Sequence, residues 1–292
     1  MASKYTEMRR AFAGRMRKPG TTVAPGVGDA LGARMVQSAG FDCVYMSGYA
    51  VEATYGKPDV GLLTLSEMAQ RAGQICDAVD IPVVSDADTG YGNVTNVART
   101  VREFERAGAC AIQIEDQALP KKCGSMKGKN IVSTHEMVGK IKAALDARED
   151  DNFLIIARTD AWVVEGQGAA MDRLAAYREA GADLVMALGP YSEAEARTLI
   201  QTAPGPIAYL SSESFTMPMI PVAEQERLGV RLVIFPLALT LAAAKSMERT
   251  LQQIKSVGTT QEFAKSSMLS WAACNAVLGI DDIHRIEAEF GA

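Results

Sequence analysis

Four stretches of the chain share one grammar: a helical pattern ends in a small residue and Gly, and an apolar run begins at once. They are AGFDCVYMSG from Ala39, AGACAIQIED from Ala107, AGADLVMALG from Ala180 and LGVRLVIFPL from Leu228. Gly just past a helix can take the left-handed conformation that stops it. An apolar run without alternation marks a strand buried on both faces, hence a parallel sheet covered by helices. Four more such runs lie between these: TTVAPGV near Val23, IPVVSDADTG from Ile81, FLIIARTDA from Phe153 and GPIAYLSSES from Gly205. Eight strands at intervals of about 30 residues, each followed by a helical pattern, match an α/β fold of the closed (β/α)8 TIM barrel kind. A doubly wound open sheet fits less well, since it usually has fewer strands and no GxGxxG follows the first strand here.

The patterns predict helices over 30–39, 64–78, 93–107, 133–148, 168–180, 192–202, 221–228 and 237–256. Met8, Phe12 and Met16 recur at helical spacing, so the basic N-terminus reads as a packed helix rather than a transit peptide. Beyond 256 lies more helical sequence than eight repeats need. The expectation is a single barrel domain over 1–292 with a C-terminal helical extension, and an oligomer, because surplus apolar helix often packs on a neighbouring subunit.

Composition narrows the function. A chain of 292 residues with 48% hydrophobic and 22% charged residues can bury a full core. Its net charge of -5 offers no basic face to nucleic acid or an acidic membrane surface, and no run of about 18 apolar residues would span a bilayer. The five cysteines are scattered, odd in number and form no CxxC, so neither a disulfide framework nor a zinc site is suggested and a cytoplasmic setting fits best. Small-molecule chemistry is the default.

Barrels of this kind place their chemistry at the C-terminal ends of the strands. Those ends offer Tyr45, Ser47 and Gly48 on strand 2, Asp86 and Asp88 on strand 3, Glu115 and Asp116 on strand 4, and Arg158 and Asp160 on strand 5. Asp86 and Asp88 point to the same side if the strand runs through both. With Glu115 they form an oxygen-only cluster suited to Mg2+ or Mn2+ rather than zinc. The other reading has Asp88 capping the helix near Asn93 and Glu115 in a plain ion pair with Arg158. Arg158 is a planar fork for a substrate carboxylate, or else the partner of Glu115 or Asp160. Ser47 and Gly48 can aim a hydroxyl and backbone N–H groups at an oxyanion, or form an ordinary turn.

The stretch QALPKKCGSMKGKN, after strand 4, has the length of a lid. Lys121, Lys122, Lys127 and Lys129 surround Cys123, and cations beside a thiol favour its thiolate, so Cys123 is expected to titrate near neutrality and to move a proton to or from carbon. The alternative is a solvated surface. Cys43, Cys76, Cys110 and Cys274 read as core fillers. Neither His135 nor His284 lies at a strand end, which leaves no basis for a Ser-His-Asp triad.

The segments DADTGYGN, QIEDQALPKKCG, IARTDA and YMSGYA resemble the isocitrate lyase and phosphoenolpyruvate mutase superfamily, and the resemblance runs from about Thr22 to the C-terminus. It implies a barrel whose last helix is swapped between subunits, in a dimer-of-dimers homotetramer. It also implies Mg2+ held largely through water by Asp59, Asp86, Asp88 and Glu115, and a 2-oxo acid gripped by Tyr45, Ser47, Gly48 and Arg158 under a mobile loop that contributes Gly124 and Ser125. Cys123, Tyr45 and Lys122 are then the catalytic candidates. The phosphonopyruvate mutases and hydrolases carry Asn-type residues in place of Cys123 and the oxaloacetate decarboxylases lack the thiol, so its presence favours the lyases. The lyases usually have His where this chain has Ser125, Glu where it has Leu188 and Asn where it has Leu210. Those residues grip the carboxylate-bearing half that leaves. The implied activity is retro-aldol cleavage of a 2-hydroxy acid with a less carboxylated leaving half, such as a branched malate. Oxaloacetate decarboxylation or hydrolysis, phosphonopyruvate chemistry and a non-catalytic oxo-acid-binding protein are the alternatives.

Overall fold

Each of the eight apolar runs forms a strand. The computed structural model, which describes residues 4–214 and 217–291, contains β1 Thr22–Val27, β2 Val44–Met46, β3 Val83–Asp86, β4 Ala111–Glu115, β5 Leu154–Thr159, β6 Leu184–Ala187, β7 Ala208–Leu210 and β8 Leu232–Phe235. Neighbours pair in parallel in the order β6-β5-β4-β3-β2-β1-β8-β7. A parallel bridge between Val185 and Ile207 joins the two ends of that order, so the sheet is a nearly closed (β/α)8 barrel.

The absence of alternation in the strands has a direct cause: both faces are buried, each in its own core. Val84, Ala111, Leu154 and Ile156 belong to one apolar cluster, while Val83, Ile112, Ile114, Ile155 and Ala157 belong to the other. Successive residues thus point alternately into the barrel and out to the helices.

The helices are α1 Lys4–Met16, α2 Ala30–Ser38, α3 Gly48–Thr54, α4 Leu65–Ala78, α5 Val94–Arg106, α6 Thr134–Ala147 and α7 Ala161–Val164. There follow α8 Gln167–Glu179, α9 Glu193–Thr202, α10 Val222–Leu228, α11 Ala238–Val257, α12 Gln261–Ser267, α13 Trp271–Leu278 and α14 Ile280–Phe290. The predicted starts hold because the caps set them. Thr64 with Glu67, Asn93 with Asn96 and Ser192 with Glu195 form reciprocal capping boxes that satisfy the first N–H groups of α4, α5 and α9. Asn93 caps α5, so Asp88 is free of the capping role that was one reading of it. Phe12 and Met16 of α1 are buried, as their spacing predicts. The short α3 and α7 were not predicted; each is a brief turn of helix just after a strand, too short for a periodic pattern.

From α11 onward the packing changes. None of the 20 residues of α11 is buried, and α12, α13 and α14 bury none either. Met247 is 64% exposed, Leu251 66% and Trp271 82%, so this extension presents apolar side chains to solvent. No helix among the described residues is long and apolar enough to cross a membrane.

One close approach fixes the seam between first and last strands. A Cβ on Gly26 would lie 2.6 Å from the carbonyl oxygen of Pro236 and 2.8 Å from that of Phe235, backbone atoms that cannot swing aside. Gly26→Ala should therefore destabilise the barrel by about 1–3 kcal/mol, read as a lower urea midpoint with an unchanged slope.

Candidate active site

The strand ends bring together most of the residues singled out from the sequence. Tyr45, Ser47, Asp59, Asp86, Cys123, Gly124, Ser125, Arg158, Leu188 and Leu210 all line one cavity at the mouth of the barrel. Its volume is about 50 Å³, room for a few waters. Cys123, Gly124 and Ser125 of the loop after β4 form part of its wall.

Asp86 ends β3, and the strand does not continue to Asp88. Asp88 takes a left-handed conformation, φ +47°, and its N–H donates to Asp86 Oδ1 at 3.0 Å. The two carboxylates therefore meet through a turn and not through strand parity. Asp59, on the loop between α3 and α4, joins them through Lys121: the ammonium pairs with Asp59 and lies 2.6 Å from Asp88 Oδ1. Burial pushes the Asp88 carboxyl up to about 7 against the pull of Lys121, with the charge of Asp86 adding to the rise. Burial opposes the charge on Lys121 too, but Asp88 and Asp59 outweigh it and hold the ammonium well above its usual range.

The two neighbouring lysines differ in their partners: Lys122 Nζ donates to the Gly128 carbonyl at 2.9 Å, within the lid, while Lys121 pairs with the acids.

Tyr45 donates its hydroxyl to Gln113 Oε1 at 3.0 Å, and Gln113 Nε2 reaches Asp86 Oδ1 at 3.4 Å. Burial, then the charge of Asp86, drives the phenol well above its ordinary range. Tyr45 is thus a fixed neutral hydroxyl and a poor base. Gln113 was missed from the sequence, although it lies two residues before Glu115 and so faces the same way. Ser47 caps α3 by accepting from Ala50 N–H at 3.4 Å, and the Gly48 N–H points at Asp86 Oδ2 at 3.4 Å. A Cβ on Gly48 would fall 2.8 Å from that oxygen, so any side chain there would displace the Asp86 carboxylate.

Arg158 is a hub. Its Nη1 lies 2.9 Å from Glu115 Oε2, and Nε and Nη2 reach the two oxygens of Asp160 at 3.0 and 3.3 Å. The ion-pair reading of Glu115 and Arg158 is therefore realised in this state, with the arginine also lining the cavity. Burial raises the Glu115 carboxyl well above its usual range, and its Oε1 is buried with no hydrogen-bond partner. Among the described residues, no three His, Cys, Asp or Glu side chains converge tightly enough to ligate one ion directly.

The thiol behaves opposite to expectation. Burial, followed by the charge of Asp59, pushes the Cys123 thiol up rather than down. The lysines do not favour a thiolate because they point elsewhere: Lys121 to the acids, Lys122 to Gly128, Lys129 to Asp160, while Lys127 is exposed. Cys123 is anchored by its N–H to the Asp59 carbonyl at 2.9 Å. Cys43, Cys76 and Cys110 are buried core residues as expected, whereas Cys274 is half-buried on α13.

The ends of β6, β7 and β8 supply the apolar part of the wall, Leu188, Leu210, Pro236 and Leu237, with Leu188 next to Arg158. Its polar edge is a run of hydroxyls, Ser125 Oγ to Ser214 Oγ at 2.7 Å and Ser214 Oγ to Ser212 Oγ at 2.8 Å. Ser212 and Ser214 follow β7 and carried no signal in the sequence.

The model of the phosphoenolpyruvate phosphomutase family matches residues 12–255. The chain is 44% identical to the 2,3-dimethylmalate lyase of Eubacterium barkeri over 269 residues, 92% of this chain and 93% of that one. The chain belongs to the phosphoenolpyruvate mutase and isocitrate lyase superfamily. The 2-methylisocitrate lyase of Aeropyrum pernix is 40% identical over 94% of this chain and 88% of its own. Among solved structures of the superfamily, an oxaloacetate acetylhydrolase bound to 3,3-difluorooxalacetate superposes with a TM-score of 0.92 at 31% identity, covering 99% of this chain and 98% of that one. A phosphonopyruvate hydrolase in complex with oxalate and Mg2+ gives 0.87 at 28% identity over 99% of both chains. Within the superfamily this chain is an enzyme of the carbon–carbon lyase class.

The shut lid depends on a residue without a side chain. A Cβ on Gly124 would meet Leu188 Cδ1 at 2.3 Å and Arg158 Nη2 at 2.7 Å. The leucine tip can rotate, but the guanidinium is held by two carboxylates. Gly124→Ala should leave the melting temperature unchanged and weaken binding of a small oxo acid by about ten-fold or more, measured by calorimetry.

Proposed function

We propose that the enzyme cleaves a 2-hydroxy acid by retro-aldol chemistry, releasing a 2-oxo acid from the charged side of the cavity and a largely apolar carboxylic acid from the other. The observation that supports this reading is the uneven make-up of the mouth: the ends of β2 to β5 bring the carboxylates and Arg158, and the ends of β6 to β8 bring Leu188, Leu210, Pro236 and Leu237. A branched malate such as 2,3-dimethylmalate fits, with pyruvate on the charged side and propionate on the apolar one. A second acidic arm, as in a methylisocitrate, would meet leucine in place of a charge partner. The hydroxyls of Ser125, Ser212 and Ser214 are the donors available to the one carboxylate of the leaving half.

Mg2+, or Mn2+, is the cofactor in this reading. The donors are all oxygen, and the unpartnered Glu115 Oε1 together with the buried, raised Asp88 marks a cluster short of positive charge. Since the acids do not converge for direct ligation, Asp59, Asp86, Asp88 and Glu115 would hold the ion mainly through water. The bound ion would supply Lewis-acid stabilisation of the C1 carboxylate and C2 oxygen.

The residues of the chain then divide the work. Arg158 grips the C1 carboxylate with its planar fork. The Tyr45 hydroxyl, the Gly48 N–H and Ser47 orient the C2 oxygen. The proton of the C2 hydroxyl passes to a carboxylate of the Asp59–Lys121–Asp88 cluster as the C2–C3 bond breaks and C2 becomes a carbonyl. The electron pair moves onto the leaving half as an enolate. Cys123, held as a neutral thiol, gives its proton to C3. Burial is what keeps that proton in place until the carbanion forms, a better arrangement for a carbon acid than a standing thiolate. In the same reading the exposed apolar side of α11 packs on a second copy, as a swapped helix of a homotetramer.

A second reading comes from the close superposition on oxaloacetate acetylhydrolase: hydrolysis of oxaloacetate. One panel separates the two. Branched malates should yield pyruvate, while oxaloacetate should not yield oxalate and acetate; oxalate release with no pyruvate from any malate would replace the lyase reading. Cys123→Ser should cut turnover about 10²-fold or more with oxo-acid affinity near normal, and unchanged turnover would remove the thiol from the reaction. Chelation by EDTA should abolish pyruvate release and added Mg2+ restore it; activity that survives exhaustive chelation would contradict the metal.

A further inference from the structure

Lys129 is a buried loop lysine that the proposed reaction does not use. A solvated lysine would resemble Lys127, which is exposed. Lys129 is the reverse, with its side chain fully enclosed beside an equally enclosed Asp160. Its ammonium donates to the Gly124 carbonyl at 2.7 Å, so the far end of the lid holds the lid's own tip. It also pairs with Asp160 Oδ1, the carboxylate that holds the guanidinium of Arg158.

These contacts form one chain of charges: Gly124 carbonyl, Lys129, Asp160, Arg158, Glu115. Asp160 cannot drift within it. Its N–H donates to Asp116 at 2.9 Å, and Asp116 is itself fixed by Thr159, Tyr177 and Arg173. Burial opposes charge on Asp160, yet Arg158 and Lys129 outweigh it and keep its carboxyl below the usual range.

The charge balance gives the chain a function. With the lid shut, two cations face two carboxylates. An opening of the lid would withdraw Lys129 and leave Arg158 alone facing both Asp160 and Glu115. A substrate carboxylate arriving at Arg158 adds a third anion, and a buried carboxylate stripped of its partner is costly. Substrate anion at Arg158 therefore increases the demand for Lys129 at Asp160, and by reciprocity the seated lysine strengthens the grip of Arg158 on the anion.

We propose that Lys129 latches the lid and, through Asp160, positions Arg158, so that lid closure and capture of a substrate carboxylate reinforce each other. The latch stands on the geometry alone; its coupling to substrate rests on the reading of this mouth as an oxo-acid site.

The full-length, ligand-free protein tests the latch by iodoacetamide labelling with each cysteine followed by mass spectrometry. Cys274, remote from the lid on α13, is the internal reference. In Lys129→Met, labelling of Cys123 relative to Cys274 should rise about ten-fold, with Cys43, Cys76 and Cys110 still protected, and Lys129→Arg should return it toward the wild-type ratio. An unchanged ratio, or a parallel rise at the three core cysteines, would overturn the latch. The coupling is read from pyruvate affinity with Mg2+ present: Lys129→Met should raise Kd about ten-fold, and an unchanged Kd would overturn it. If wild-type protein binds no pyruvate, the oxo-acid reading and the coupling fall together, while the labelling ratio still judges the latch.

Discussion

Burying charge at the mouth of the barrel is the constraint from which the rest of this site follows. Asp59, Asp86, Asp88, Glu115, Asp160, Lys121, Lys129 and Arg158 are all enclosed. Each would be unstable there alone, because removal from water costs several kcal/mol per ion. The fold meets the cost by cancelling charge locally, in two groups: Lys121 between Asp59 and Asp88, and Arg158 with Lys129 between Glu115 and Asp160. Both groups draw one cation from the lid. The barrel rim alone carries a surplus of negative charge, which the two lid lysines reduce but do not cancel.

That division explains the state of the catalytic candidates. Lysines committed to carboxylates cannot lower the thiol, so Cys123 stays protonated under the influence of burial and Asp59. The same enclosure keeps Tyr45 as a hydroxyl. A neutral thiol and a neutral phenol therefore stand beside the crowded carboxylates, each kept protonated by its enclosure.

The barrel could be read from sequence because its signal is local and repeated. Gly at a helix end followed by an unbroken apolar run occurs four times and a like apolar run four times more, the Gly stopping a helix and two-faced burial making the run apolar. The strand-end rule likewise found Tyr45, Asp86, Glu115 and Arg158, since a strand's last residues have only one place to go. What resisted was everything set by tertiary approach. Asp88 joins Asp86 through a left-handed turn. Lys121 and Lys122 are adjacent and chemically identical, and only the path of the lid decides which enters the site. Ser212 and Ser214 matter because Ser125 closes onto them. Gln113 was the avoidable omission, being in register with Glu115 on the same strand face.

The bare surface of α11 carries a different consequence. A 20-residue helix with no fully buried residue gives the isolated polypeptide a long apolar ridge, which water will not leave unpaired at high concentration. If a second copy covers it, stability becomes a matter of mass action: the melting point climbs with protein concentration, and dilution loosens the fold before any residue of the mouth is touched. A nascent chain released singly would then be at greatest risk of aggregation before it finds its neighbours.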